Sequence, residues 1–205
     1  MNKFDKKDFE NGIKNGCKIT FKGKEIKECQ KTMMCNWNKC HPELQELHAS
    51  KLTDEDRKTC ENKDWKKEFA CQNRITKKRG HLDKLANAAH CEVNKCPEIR
   101  ELNEKRIQKY KDRFKSKKSN YDNVIEECQK QHCSKQLDER DKAATNAQNA
   151  HYDCLKKFNT WKTQIKCSQP FAKKSARKHN KLHMCKEKHC KAQIKAWRSK
   201  FTKKY

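Results

Sequence analysis

Cys35-Asn-Trp-Asn-Lys-Cys40 and Cys91-Glu-Val-Asn-Lys-Cys96 share a C-x4-C spacing and an Asn-Lys before the second cysteine. Between them stand Cys60 and Cys71, and the pairs 35 and 96, 40 and 91, and 60 and 71 each sum to 131. A constant sum is mirror symmetry about the segment 61–70, the arrangement of a chain that folds back and cross-links its two arms. It predicts the bonds Cys35–Cys96, Cys40–Cys91 and Cys60–Cys71. The pattern recurs at Cys128, Cys133, Cys154, Cys167, Cys185 and Cys190, with sums of 318, 318 and 321, so Cys128–Cys190, Cys133–Cys185 and Cys154–Cys167 are expected as well. Cys17 and Cys29 lie outside both sets, and pairing with each other is the simplest use of them.

Bulk composition explains why so many staples are needed. Leu, Ile, Val and Phe make up 28 of 205 residues, about 14%, while 39% of the chain is charged and the net charge is +25. A chain below about 20% in these apolar residues is usually disordered when its net charge is high, because burial does not outweigh the entropy of ordering the backbone. Fourteen cysteines supply the alternative. Each closed loop of tens of residues stabilises by about 3 to 4 kcal/mol in the chain-entropy model.

The first ten residues, Met1 to Glu10, contain no apolar run of the kind a secretory signal needs, and no stretch approaches the roughly 18 apolar residues of a membrane span. Oxidised cysteines without such a signal point to the mitochondrial intermembrane space or to a virion. A processed secreted form is the remaining option.

Four segments are expected along the chain: a loosely structured lead-in at 1–34, a six-cysteine helical unit at 35–96, a connector helix and linker at 97–120, and a second six-cysteine unit at 121–205. Pro42 marks a helix start, since proline is tolerated in the first turn. Thr53-Asp-Glu-Asp56 reads as a second start, with a capping residue followed by acids that suit the positive end of the helix dipole. Asn62-Lys-Asp64 before Trp65 reads as a turn and N-cap, as does Asn159-Thr160 before Trp161. Ile75, Leu82, Leu85, Ala86 and Ala89 fall on one face of a continuous helix. Ile99, Leu102, Ile107, Tyr110 and Phe114 mark an amphipathic connector, and Lys115-Ser-Lys-Lys-Ser-Asn120 is the expected linker. Leu44 and Leu137 each follow a cysteine by four residues, and Lys84-Leu85 corresponds to Lys181-Leu182, as a tandem duplication requires.

Residues five apart on a regular helix are rotated by about 140°. The two cysteines of a C-x4-C motif therefore straddle a helix end, each sulfur with its own partner. Cys40 and Cys60 would lie about 200° apart on a straight arm. Either the arm breaks near Thr53 or the inner pair belongs to the connection. A single helix over 54–90 is the rival to the hairpin, although the x12 spacing of Cys154 and Cys167 does not fit it. Helical hairpins tied by paired cysteines resemble, in architecture, the mitochondrial twin cysteine-x9-cysteine proteins, whose spacing is different.

His41, His90, His132 and His189 flank or sit within the C-x4-C motifs. Thiolate with imidazole is a zinc set, yet zinc knuckles favour tighter spacings. Staples are the expectation, with no metal and no cofactor.

From Ser168 to Tyr205 there are 13 Lys or Arg against one acid, Glu187. Lys173, Lys174, Arg177, Lys178, Lys181, Lys188, Lys191, Lys195 and Arg198 are the candidate anion-binding residues, with Trp197 and Phe201 as an apolar anchor on the same helix. Such a patch suits RNA or DNA backbone, anionic lipid or an acidic protein. A lysine-rich solvated face is the competing reading. With four glycines and no GxSxG or HExxH, the chain shows no catalytic constellation. The expectation is an all-α tandem duplication of stapled helical hairpins, a non-catalytic structural subunit of a viral capsid or mitochondrial assembly. Its partners are other subunits of that assembly. The alternative is a nucleic-acid-binding protein without sequence preference.

Overall fold

The computed structural model describes residues 5–115 and 120–201. Among these every regular element is an α-helix: α1 (Lys6–Thr20), α2 (Lys24–Ala49), α3 (Asp54–Cys60), α4 (Trp65–Lys78), α5 (His81–Lys95), α6 (Glu98–Lys115), α7 (Asn120–His132), α8 (Ser134–Lys157), α9 (Trp161–His189) and α10 (Lys191–Phe201). The fold is all-α and disulfide-rich. Two compact units share it: Met1–Gln108 with Cys154–Ile165, and Lys109–Asp153 with Lys166–Tyr205.

The expected lead-in at 1–34 is corrected. Asp5 caps α1, accepting from the Asp8 backbone N–H at 2.8 Å. Phe9, Ile13, Cys17 and Phe21 then recur every four residues and face α2, where Cys29 closes a bond to Cys17. Gly23, at φ 56°, makes the reversal between α1 and α2 that a side chain would strain. Ile13, Cys17, Phe21, Cys29 and Leu102 form one buried cluster of the first unit, flanked by Phe9, Ile26, Met33 and Met34, and Cys35, Cys96 and Ile99 form another. Three glycines in a polar stretch suggested looseness; the four-residue apolar period was the stronger signal.

α2 bends at Cys40 (φ −124°, ψ 25°), two residues before Pro42. Proline has no N–H for the Asn38 carbonyl and its ring crowds that group, so the helix breaks and restarts there. The arm breaks again after Ala49, where Ser50 Oγ meets the Leu47 carbonyl and His81 Nδ1, both at 2.7 Å. Thr53 opens α3 with a capping box: its Oγ1 accepts from the Asp56 N–H at 3.2 Å, while Asp56 Oδ2 accepts from the Thr53 N–H at 2.7 Å. Asp64 caps α4 and is itself held by the Asn62 side chain. These breaks exclude one helix over 54–90.

The single apolar face expected for Ile75, Leu82, Leu85, Ala86 and Ala89 is also corrected. Arg79 and Gly80 (φ 63°) end α4 and restart the phase in α5. Ala86, Ala88, Cys91 and Val93 turn inward, while Leu82 and Leu85 stay 46% and 41% exposed. On α6, Ile99 and Leu102 are buried, whereas Ile107 and Tyr110 are exposed, so the connector is amphipathic only in its first two turns. Lys115 ends α6 and Asn120 opens α7; the rest of the expected linker, and the side chains of Phe114, Trp197 and Phe201, fall outside the described residues.

Segment 154–165, expected within the second unit, packs with the first. Gln164 is buried, and its Nε2 donates to the carbonyls of Ala86 and Phe158 at 3.0 and 2.8 Å. The Trp161 N–H donates to Asp83 Oδ1, and Asn94 Nδ2 donates to the Lys156 carbonyl.

Candidate functional site

Each C-x4-C motif ends at a helix break. Cys40 lies at the bend of α2, Cys96 follows α5, Cys133 separates α7 from α8, and Cys190 separates α9 from α10. The break resets the 140° rotation, and both sulfurs reach the opposing arm. The bonds Cys35–Cys96 and Cys40–Cys91 close the first clasp, and Cys128–Cys190 and Cys133–Cys185 the second, with Cα separations of 5.9, 5.9, 6.0 and 6.0 Å. Cys60–Cys71 ties α3 to α4 and Cys17–Cys29 ties α1 to α2. Cys154 and Cys167, the two left over, are also disulfide-bonded, and no cysteine is free.

The residue before each second cysteine fills the same place in both clasps. In the first, Lys39 and Lys95 reach across to each other's carbonyl, and Cys35 Sγ and Cys91 Sγ lie 3.6 and 3.7 Å from the carbonyls of Lys95 and Lys39. In the second, the rings of His132 and His189 stack 5.7 Å apart and 12° from parallel. There Cys128 Sγ and Cys185 Sγ lie 3.6 and 3.5 Å from the carbonyls of His189 and His132.

The metal alternative finds no thiolate. Cys35, Cys96 and Glu98 are close enough to share an ion, but the two sulfurs are bonded to each other. The histidines are held elsewhere: His41 edge-on to Trp37 at 4.2 Å, His90 on the Leu155 carbonyl at 2.8 Å, and His132 on His189.

The basic residues sort into three groups. Lys174, Arg177, Lys181 and Lys188 are exposed on α9 and fall within about 60° of one another around its axis. Lys173 lies at the edge of that sector, about 40° beyond Arg177 and about 100° from Lys174. Lys191, Lys195 and Arg198 stand on α10, beyond the break at Cys190, so the expected continuous run is two helices. Two of the nine already have anionic partners. Lys178, half-buried, donates to Glu139 Oε2 at 2.7 Å, and Arg198 Nη2 lies 3.4 Å from Glu187. The Lys178 hydrogen bond, with the fields of Lys178, Lys135 and Lys181, holds the Glu139 carboxyl below its usual range.

A cleft of about 740 Å³ runs along this surface of the second unit. The start of α8 supplies Lys135 and Gln136 to it, and α9 supplies Lys181, Met184, Lys188 and His189. The expected anion-binding residues omit Lys135, although the Cys133–Cys185 pairing places it opposite 181–189 and so was the signal that could have found it. A second cleft of about 400 Å³ has a floor of Ile125, Leu137 and Ile194 and a mixed-charge rim. On the first unit, Trp65 and Phe69, one turn apart on α4, are 68% and 58% exposed. No helix among the described residues is long and apolar enough to cross a membrane.

Comparison with protein families, with curated proteins and with solved structures finds no match for this chain.

Proposed function

We propose that the chain is a non-catalytic structural protein, a disulfide-stapled helical clamp that docks in a large assembly and turns a strongly basic surface toward an anionic partner. The observation that carries this reading is the pair Trp65 and Phe69. Large aromatics at this exposure on a rigid helix are the commonest energetic centres of protein interfaces. Asp64 caps the start of that helix and Cys60–Cys71 pins it to α3, so the pair is presented with little further ordering to do. The oxidation of every cysteine supports the non-catalytic part, because a bonded sulfur is no nucleophile. Matching clasps support a tandem duplication: loop separations of 61 and 51 residues in the first recur as 62 and 52 in the second.

The test is reincorporation. Source particles are dissociated and reassembled with oxidised wild-type chain or with a Trp65→Ala, Phe69→Ala variant, and the chain sedimenting with the particle is measured. The wild type should enter the particle. The variant, with unchanged helicity and no free thiol, should do so at least about tenfold less well, the cost of truncating a central anchor. Equal incorporation of both, or a chain that exists only as free monomer in its source, would overturn the reading.

A second reading, nucleic-acid binding without sequence preference, is favoured by the exposed row Lys174, Arg177, Lys181 and Lys188.

A further inference from the structure

We infer that the cleft between α8 and α9 of the second unit is a phosphodiester track, and that the anionic partner it takes is a nucleic-acid backbone. This rests on the reading that the basic surface meets an anionic partner, and adds where and what.

The geometry is linear. Lys174, Arg177, Lys181 and Lys188 climb α9 in rises of about 4.5, 6 and 10.5 Å, a line of about 21 Å. Along a duplex axis that length passes about six phosphates of one strand. Lys181 and Lys188 line the cleft, and Lys174 and Arg177 continue the row beyond it toward the start of α9. Lys135, exposed on α8, faces the cleft from the opposite wall and makes a fifth cation, so the track is gripped from two sides there. The acid in this wall, Glu139, is paired with Lys178, which removes Lys178 from the set and leaves the five cations without a direct ion pair, although Lys135 and Lys181 also lie in the field of Glu139. Gln136 and His189 add a neutral amide and an imidazole within the cleft.

Two features favour nucleic acid over a bilayer. A helix that lies in a membrane surface needs a broad apolar face beside its lysines. Between 174 and 188 the exposed large apolar residue of this sector is Met184 alone. The site is also a concave groove, which fits a strand and not a plane. Contacts of this kind go to phosphate and carry no base sequence, so affinity should depend on salt and not on sequence.

The experiment is fluorescence anisotropy of the full oxidised chain with a labelled 20-nucleotide strand and with its duplex, between 50 and 200 mM NaCl. Vesicles of phosphatidylserine in phosphatidylcholine, and poly-glutamate, serve as comparison ligands. Five phosphate contacts give a slope of log affinity on log salt of about −4.5 for duplex and about −3.5 for single strand, so duplex binding should weaken about 500-fold across that range. Lys135→Gln, Lys181→Gln, Lys188→Gln together should bring the duplex slope to about −1.8. The same charge change on α4, Lys66→Gln, Lys67→Gln, Lys78→Gln, should leave it unchanged. Lys178→Gln, which leaves the Glu139 carboxylate unpaired beside Lys135 and Lys181, should make it shallower, while Glu139→Gln, by freeing Lys178, should steepen it by about 0.9. Helicity and an absence of free thiols certify the fold of each variant.

Nucleic-acid binding weakened equally by the α4 and cleft triples would overturn the track and leave the anionic-partner reading standing. Binding to vesicles or poly-glutamate without nucleic acid would overturn the choice of partner. Binding to none of them at 50 mM salt would overturn both the track and the reading it rests on.

Discussion

Lys39 and Lys95 cap each other's helix ends: Lys39 Nζ donates to the Lys95 carbonyl at 2.9 Å, and Lys95 Nζ to the Lys39 carbonyl at 3.3 Å. Cations suit these positions because the last carbonyls before a helix break are unsatisfied and carry the negative end of the dipole. Reciprocity of this kind is an approximate two-fold axis between the Cys35–Cys96 and Cys40–Cys91 bonds that exchanges one for the other, with the Lys95 and Lys39 carbonyls beside Cys35 Sγ and Cys91 Sγ. All four of those cysteines are buried, whereas Cys71 and Cys185 are half-buried. Limited reduction followed by alkylation and peptide mapping should therefore label Cys60, Cys71, Cys133 and Cys185 before any cysteine of the first clasp. Early labelling of Cys40 or Cys91 would contradict this protection.

The two bonds of that clasp should not contribute independently. Once Cys35–Cys96 is closed, Cys40–Cys91 shuts a ring of only about 10 residues and adds about 2.5 to 3 kcal/mol in the chain-entropy model. Losing both opens the full loop and should cost about 7 kcal/mol. Guanidinium unfolding of Cys40→Ser, Cys91→Ser and of the four-cysteine variant, without reductant, reads the two values. A single-bridge loss as large as 7 kcal/mol would mean that native packing and not loop closure is what the bond supplies.

The pairing of the cysteines was legible because a mirrored spacing is a one-dimensional record of a fold-back, and helical phase said that each C-x4-C had to straddle a break. The caps at Thr53 and Asp64 were legible for a similar reason, being local chemistry between residues two or three apart. Ile75 was misplaced because its phase was counted through Gly80, whose left-handed backbone leaves no mark in a hydrophobic pattern, while Leu82 and Leu85 lie within α5 and are exposed because spacing marks a face without recording what packs on it. The lead-in was misread because its apolar spacing, 9, 13, 17 and 21, is sparse and shares a polar stretch with three glycines. Lys135 was missed because charge was counted along one helix, while the cleft is assembled from two. Gln164 could not be read at all: one of the two carbonyls that specify its buried amide, that of Ala86, lies 78 residues away.

Asp56 predicts a pH effect. The Thr53 backbone N–H, then the Arg79 guanidinium at 2.6 and 2.8 Å, then the Thr53 hydroxyl hold its carboxyl at about 2. A depressed folded value means that the anchor of α3 is fully present above the unfolded value, near pH 4, and is lost as pH falls through about 2. Carboxyl NMR titration should show the low midpoint, and Arg79→Gln should raise it without restoring the ordinary value, since the Thr53 donors remain. An unmoved midpoint in that variant would show that Arg79 has no part in it.

Gln164 tests whether 154–165 belongs with the first unit. Its amide serves the carbonyls of Ala86 and Phe158 from a buried position, so Gln164→Leu keeps the volume and leaves both acceptors without that donor. An unsatisfied buried polar group costs about 1 to 3 kcal/mol, and the variant should lose about that much stability. The loss should be local as well as global. Amide exchange should quicken along 158–164 and at 86–90 of α5, while the clasp of the second unit keeps its protection. Gln164→Glu offers a harsher version, since a carboxylate cannot donate and would set a charge against two carbonyl oxygens; it should destabilise more than leucine at pH 7 and approach it when protonated at low pH. If neither variant changes exchange on α5, the segment is held by its other bonds, Trp161 to Asp83, Lys156 to Asn94 and Leu155 to His90, and the Gln164 hydrogen bonds carry none of the docking.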